Sequence, residues 1–308
     1  MVLITLATAL AACGGAESTP ADIASRPVRA VATTSIVADL VSRVGGPRVQ
    51  LTTLMGPGVD PHLYRASEGD VRRMAEADIV FYTGHHLEGR MSRVLEVMGT
   101  TSSTPTVAVA EGIPPDQLLS PPAFQGAVDP HIWMDVSLWR SALHQVEDAL
   151  ISLDPSSAEG YRARAEAFDI QLQTLDSYVR ERVATLSPDR RVLITAHDAF
   201  NYFGRAYGFE VRGLQGISTI AEAGAGDVRE LATLVADHHI PALFVETSVS
   251  PRNIEAVRAA VRARGFEVRI GGNLYSDALG GVGSGADSYE GMIRHNVDTI
   301  VDALEGYD

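Results

Sequence analysis

Between Pro155 and Pro188 the chain carries no proline, and Phe168, Leu172, Leu175 and Val179 recur at helical spacing inside LDPSSAEGYRARAEAFDIQLQTLDSYVRERVATLSP. A helix of roughly 30 residues rises about 45 Å at 1.5 Å per residue, which exceeds the width of one small lobe. A chain built on such a rod has to place a folded unit at each end. The pattern therefore predicts a linking helix over 154–188, an N-terminal lobe over 28–153 and a C-terminal lobe over 189–308. One continuous helix is a stiff connector, so only small relative motion of the lobes is expected.

Both flanks alternate short apolar runs with amphipathic stretches, the pattern of parallel α/β structure. Strands are expected at Val28–Thr33, Val49–Met55, Ile79–Thr83 and Thr106–Val109, and again at Val192–Thr195, Glu210–Leu214, Ala242–Val245 and Glu267–Ile270. Helices are suggested by IVADLVSRVGG, by EGDVRRMAEA after the potential cap Ser67, by LEGRMSRVLEVMG, and near Phe200–Tyr207, Asp227–His238, Pro251–Arg264 and Ser288–Leu304. The fold class is thus α/β, two lobes each with a roughly four-stranded parallel sheet flanked by helices. GVGSGA, Gly281 to Ala286, loosely fits a dinucleotide-binding pattern but does not open a first βα unit, and it reads as a loop.

The N-terminal run MVLITLATALAAC is apolar, too short to cross a bilayer core of about 30 Å as a helix, and ends in small residues before the chain's one cysteine. It resembles the end of a bacterial lipoprotein signal peptide over residues 1–13, with Cys13 as the acylated residue. The basic segment that normally precedes such a run is missing, which points to a start upstream. Gly14 to Pro27 is rich in small, polar and proline residues, as a flexible tether is. A single cysteine permits no internal disulfide, so core packing must hold the fold. The formal net charge of −14 argues against nucleic acid as a partner and favours attraction of cations.

Two hexapeptides nearly repeat, VDPHLY at Val59–Tyr64 and VDPHIW at Val128–Trp133. In each, aspartate is a good N-cap and proline suits the first helical position, so the histidine is expected in a rigid first turn. The first copy follows a strand through GPGV, at the carboxyl edge where open α/β sheets bind ligands. In the C-terminal half, Val192–Thr195 runs into Ala196-His197-Asp198, and Glu267–Ile270 leads through GGNL to Tyr275-Ser276-Asp277. His62, His131, His197 and Asp277 then offer three nitrogens and one oxygen, a set suited to a divalent transition metal and to zinc above all. Glu246, at the end of a strand, is a partner for a ligand or an alternate oxygen donor. Asp60, Asp129 and Asp198 could orient an imidazole from behind. His85 and His86 are placed at the cleft rim, His238 and His239 at a helix end, and His144 and His295 inside helices.

Several of these stretches carry a resemblance. GPGVDPHLY, EADIVFYTGHHLE, VDPHIWMD, TAHDAFNYFGRAYG, GISTIAE and NLYSDALG occur in the order found in the TroA-like zinc- and manganese-binding lipoproteins of bacterial ABC importers, and the similarity runs from Val28 to the C-terminus. The resemblance implies two (β/α) lobes joined by a long helix, with the metal held between them by His62, His131, His197 and Asp277. The histidine in AHDAF, where many manganese-selective members carry glutamate, leans toward zinc. Glu111–Val128 lacks the histidine-rich insertion of some zinc-specific members, and GISTIAEAGAGD lacks the usual proline after its glutamate.

These readings lead to a binding protein without enzymatic activity that captures Zn2+, with Mn2+ as the alternative, and delivers it to the membrane permease of an ABC importer. It is expected outside the cytoplasm as a monomer, attached to the membrane only through a lipid on Cys13. A zinc hydrolase with the same ligands is the rival, although catalytic zinc usually keeps one position open for water. An adhesin rests only on historical naming within the family. Ordinary imidazoles would make metal affinity fall below roughly pH 6.

Overall fold

The computed structural model describes residues 20–121, 124 and 126–305. The expected signal peptide with Cys13, and tether residues 14–19, lie outside the described residues. Within the stretch expected to be a tether, Pro20–Ser25 forms helix α1, and apolar Ile23 is buried against the core. Arg48 fastens this segment by donating to the carbonyls of Ile23 and Arg26 at 3.1 and 3.0 Å.

Strands β1 (Val28–Ala32), β2 (Val49–Thr53), β3 (Ile79–Tyr82) and β4 (Thr106–Ala108) form one sheet in the order β2-β1-β3-β4. The helices of this half are α2 (Ser35–Gly45), α3 (Glu68–Ala75), α4 (Ser92–Thr101) and α5 (Val136–Leu153). Thr34 caps α2, and Ser67 with Asp70 closes a capping box on α3. Helix α4 begins later than LEGRMSRVLEVMG suggested, at Ser92, because residues 87–91 form turns after His85 and His86, both at positive φ.

In the C-terminal half, β5 (Val192–His197) pairs with β6 (Glu210–Gln215) and β7 (Ala242–Glu246) with β8 (Arg269–Leu274). The two pairs stand side by side through β5 and β7. Helices α7 (Asn201–Tyr207), α8 (Ala225–Asp237), α9 (Arg252–Arg262) and α10 (Tyr289–Glu305) complete this half. Every strand pair is parallel. Strand β8 starts and ends later than expected and includes the glycines first read as a loop. A Cβ on Gly271 would lie 2.8 Å from both Ala303 and Phe244, and one on Gly272 would lie 2.3 Å from Thr299. Glycine here admits α10 to the face of the strand.

The long helix is α6, Ala158–Val183, of 26 residues, which spans about 39 Å at the usual rise. It is shorter than the expected 154–188. Pro155–Ser157 instead forms a separate 3-10 turn, and Asp154 accepts from Ser156 Oγ and Arg48. Helix α6 buries Tyr161, Ala165, Phe168, Leu172, Leu175, Val179 and Val183, packing on α2 and α5 from one half and on α7 and α10 from the other. One continuous apolar core consequently extends through both halves, from Ile23 to Leu304. No helix among the described residues is long and apolar enough to cross a membrane.

Candidate metal centre

The two VDPH segments are built by their aspartates, though not as helix caps. Asp60 Oδ1 accepts the His62 amide at 2.8 Å and Asp129 Oδ1 accepts the His131 amide at 3.0 Å, the hydrogen bond of an Asx turn. No α-helix follows directly in either copy. After His62 the helix start belongs to the capping box at Ser67, and after His131 a 3-10 turn over Ile132–Met134 precedes α5, whose cap is Asp135. The expected capped first turn is thus replaced by a tight turn that projects each histidine past the end of a strand or loop.

His197 is the last residue of β5, and Asp277 lies three residues beyond β8. The parallel pairing brings both to the carboxyl edge, opposite the two turns. His62, His131, His197 and Asp277 are all buried, and each offers a ligand atom within 4.8 Å of every other. Asp277 Oδ1 lies 3.5 Å from His131 Nε2, and Oδ2 lies 3.3 Å from His197 Nε2. Two ligands about 2.0 Å from a tetrahedral zinc stand about 3.3 Å apart, so these spacings match edges of such a site. Among the described residues this is the one set of three or more His, Cys, Asp or Glu side chains that converges in this way.

Burial makes the set expensive without a cation. Both ring nitrogens of His62, Nε2 of His131 and of His197, and Oδ1 of Asp277 are enclosed and lack a hydrogen-bond partner among the described residues. An unmet buried polar group costs about 1–3 kcal/mol, and buried groups of this kind are normally satisfied. One nitrogen of each imidazole and one oxygen of Asp277 can face a common point, and an ion there accounts for four of these five atoms.

Two of the three imidazoles have a carboxylate behind them. Asp129 Oδ1 lies 2.7 Å from His131 Nδ1, and Glu246 Oε2 lies 2.6 Å from His197 Nδ1 while Oε1 accepts the His197 amide at 2.9 Å. These contacts put the ring protons on Nδ1 and aim each Nε2 at the centre. Burial would depress His131, but the charge and hydrogen bond of Asp129, helped by Asp277, raise it to about 9. Burial opposes protonation of His197 too, yet Glu246 and Asp277 hold its pKa well above the ordinary value. His62 has no such partner, and burial drives it down to about 3. Burial would raise Asp277, but His197 and His131 hold it well below the carboxylate range. Ser248 Oγ donates to its Oδ2 at 3.2 Å.

The other expectations divide. Glu246 stands behind His197, and its oxygens point to that residue. Asp129 orients an imidazole, whereas Asp60 meets the His62 backbone amide and the Thr219 hydroxyl but not the His62 ring, and Asp198 Oδ1 accepts from the Gly213 amide at 2.7 Å. His85 and His86 line an open groove beside His62 with Phe124, Ile217 and Ile220. His144 is exposed on α5 near Glu147, and His295 Nε2 lies 2.9 Å from the Asn273 carbonyl. His238 caps the end of α8, and His239 packs edge-on against Phe266. Sequence reasoning missed Ser248, Asn201 and Thr219, which reach the site from loops and a helix start. Their hydroxyl and amide groups carry no pattern until the fold places them.

Comparison with known proteins gives a consistent result. The family described as zinc-uptake complex component A, periplasmic (ZnuA), matches residues 30–303. The zinc-binding protein TroA of Treponema pallidum is 48% identical over 274 residues, covering 89% of this chain and 88% of the relative. The manganese-binding lipoprotein MntA of Bacillus subtilis is 44% identical over 307 residues, covering 99% and 98%. Among solved structures, the periplasmic zinc-binding protein TroA from Treponema pallidum superposes with a TM-score of 0.87 at 47% identity, over 90% of this chain and 99% of that one.

Proposed function

The chain belongs to the zinc-uptake complex component A family, and from that premise we propose that it is the solute-binding component of an ABC importer. It captures a divalent transition metal between its two halves and hands it to a membrane permease. The observation that carries this reading is the convergence of His62, His131, His197 and Asp277 at a buried point, each with an unpartnered ligand atom.

Relatives of similar identity are named for zinc and for manganese, so the donor chemistry has to choose. Three imidazoles and one carboxylate favour zinc on the Irving–Williams order, and the spacing suits fourfold coordination. Zinc is therefore the favoured cargo and manganese the alternative. Four protein ligands leave no open position for a catalytic water, which supports a carrier without enzymatic activity. The 28–153 and 189–308 segments serve as the two lobes and 154–188 as the link. A monomer, placed outside the cytoplasm and tethered through a lipid on Cys13, completes the reading; the relatives named lipoproteins support the anchor.

The test is metal analysis of protein purified without added metal, followed by chelation, refilling and direct competition. One equivalent of zinc, displacing manganese, is expected. Binding of neither metal would sink the proposal. Asp277→Ala should release zinc readily, whereas a hydrolase would keep a three-histidine zinc and gain an open position.

A further inference from the structure

His62 is the ligand whose ring nothing holds. Its two nitrogens lack partners, while Asp129 and Glu246 stand behind the other two imidazoles. Its position depends on the backbone, and the backbone depends on Asp60. One oxygen of Asp60 accepts the His62 amide at 2.8 Å; the other accepts the hydroxyl of Thr219 at 2.6 Å. Thr219 lies in the loop between β6 and α8, on the opposite side of the cleft. It is buried at 5% exposure. Gln215 Nε2 donates to the Ala221 carbonyl at 3.1 Å and braces that loop from beneath. Ile220 lies against Gly89, where a Cβ would stand 3.1 Å from Ile220 Cδ1 and 3.3 Å from the His62 carbonyl. The loop thus touches the His62 turn through the Thr219–Asp60 hydrogen bond, and Ile220 lies beside Gly89, which neighbours that turn.

The second VDPH copy shows that this is a repeated device. Asp129 likewise divides its oxygens, Oδ1 on His131 and Oδ2 on Asn201 Nδ2 at 3.0 Å, again a residue of the C-terminal half. In that copy the aspartate also grips the ring itself. In the first copy it does not, so the cross-tie is the polar constraint left on the ligand.

We propose that Asp60 and Thr219 are a positioning pair that fastens His62 to the far side of the cleft, so that retention of the metal by its least-held ligand depends on the Thr219 hydroxyl. The proposal rests on the metal-carrier reading. When the halves meet, Thr219 fixes Asp60, Asp60 fixes the His62 turn, and the fourth contact to the metal is completed. When Thr219 lets go, His62 is the ligand free to leave first.

The experiment is stopped-flow zinc exchange on the whole protein, with an excess of a chromogenic chelator to read dissociation and zinc added to the metal-free form to read association. T219V should keep one zinc per chain and an association rate within about twofold, yet lose zinc about tenfold faster or more, the consequence of removing a hydrogen bond to a charged group. T219S should restore the wild-type rate. T219A carries the same expectation as T219V should valine not be accommodated, and melting of the metal-free variants checks that the fold is kept. Unchanged dissociation in T219V and T219A, or failure of T219S to restore it, would overturn the positioning role while leaving the carrier reading intact. A wild-type protein that binds no zinc would overturn the carrier reading itself, and this inference with it.

Discussion

The two VDPH copies share their letters and their Asx turn but not their surroundings. In the second copy Ile132, Trp133 and Met134 are all buried, Trp133 Nε1 donates to the Ser276 carbonyl at 2.8 Å, and Tyr289 Oη donates to the Trp133 carbonyl at 2.7 Å. In the first copy Leu63 is 42% exposed, and half-buried Tyr64 reaches only Asp70, within its own half, at 2.8 Å. The motif therefore supplies the turn, and the residues after it decide how the histidine is held. His131 is anchored in the core that joins the halves, while His62 sits at the mouth. The proposed role of Thr219 would add an order to such a site, with the mouth-side ligand leaving first.

The largest effect that could break this contrast is on stability. Trp133→Ala removes a fully buried ring and a hydrogen bond between the halves, and should cost about 3–5 kcal/mol. Tyr64→Ala should cost about 1–2 kcal/mol. Urea unfolding of the metal-free proteins measures both, and equal losses would mean that the two mounts are equally embedded.

Proton release sharpens the comparison next. Metal-free, His131 keeps its proton up to about pH 9 and His197 is shifted the same way, whereas His62 is neutral above about pH 3. Metal binding requires all three neutral, so loading near pH 7 should release about two protons, none of them from His62. Affinity then climbs as pH rises from 6 toward 9, by up to about a hundredfold per unit while both protons are displaced. The sequence alone, with unperturbed imidazoles, predicted a decline only below roughly pH 6. For the metal-free fold the sign is the reverse. The raised His131 pKa contributes stability that is fully present below about 6.5 and is lost as pH rises through about 9. Calorimetry in buffers of differing ionisation enthalpy counts the protons, and a count near zero at pH 7 would erase the asymmetry between the mounts.

What the sequence made legible follows from the reach of its signals. The strands before His197 and Asp277 announce themselves by local apolar runs, and parallel βα order sends their ends to one edge, so the four converging residues could be named without coordinates. Gly271-Gly272 read as a loop because local propensity knows nothing of α10, whose approach is what demands glycine there. Asp60 and Asp129 read as helix caps because the Asx turn and the N-cap use the same side-chain hydrogen bond; only the neighbouring capping box at Ser67 and the cap at Asp135 decide between them. Glu246 was placed near the site with its role open, because its partner His197 lies across β5 and β7. Thr219 and Asn201 were invisible, since each matters only through an aspartate far away in the chain.

The smallest effect is the most discriminating. Asp129→Asn and Asp60→Asn both keep an oxygen able to accept the histidine amide; the carboxamide NH2 of D60N can donate to the Thr219 hydroxyl, and that of D129N to Asn201 once Asn201 turns its own oxygen toward it. The difference lies in the ring, because only Asp129 lends its charge to an imidazole. That charge makes His131 both a better metal ligand and a better proton acceptor. Above pH 9, where His131 no longer holds a proton, D129N should bind zinc about tenfold more weakly than the wild type, the usual cost of losing such a partner. As pH falls toward 6 the wild type must displace a proton that D129N no longer holds, so the deficit shrinks, and the proton count of D129N falls by about one. D60N changes no ring and should show a deficit of only a few-fold that does not vary with pH. Zinc competition titrations of the three proteins between pH 6 and 9.5 decide the point. Parallel curves for D129N and wild type would show that Asp129 acts on His131 as a mount only, as Asp60 does on His62.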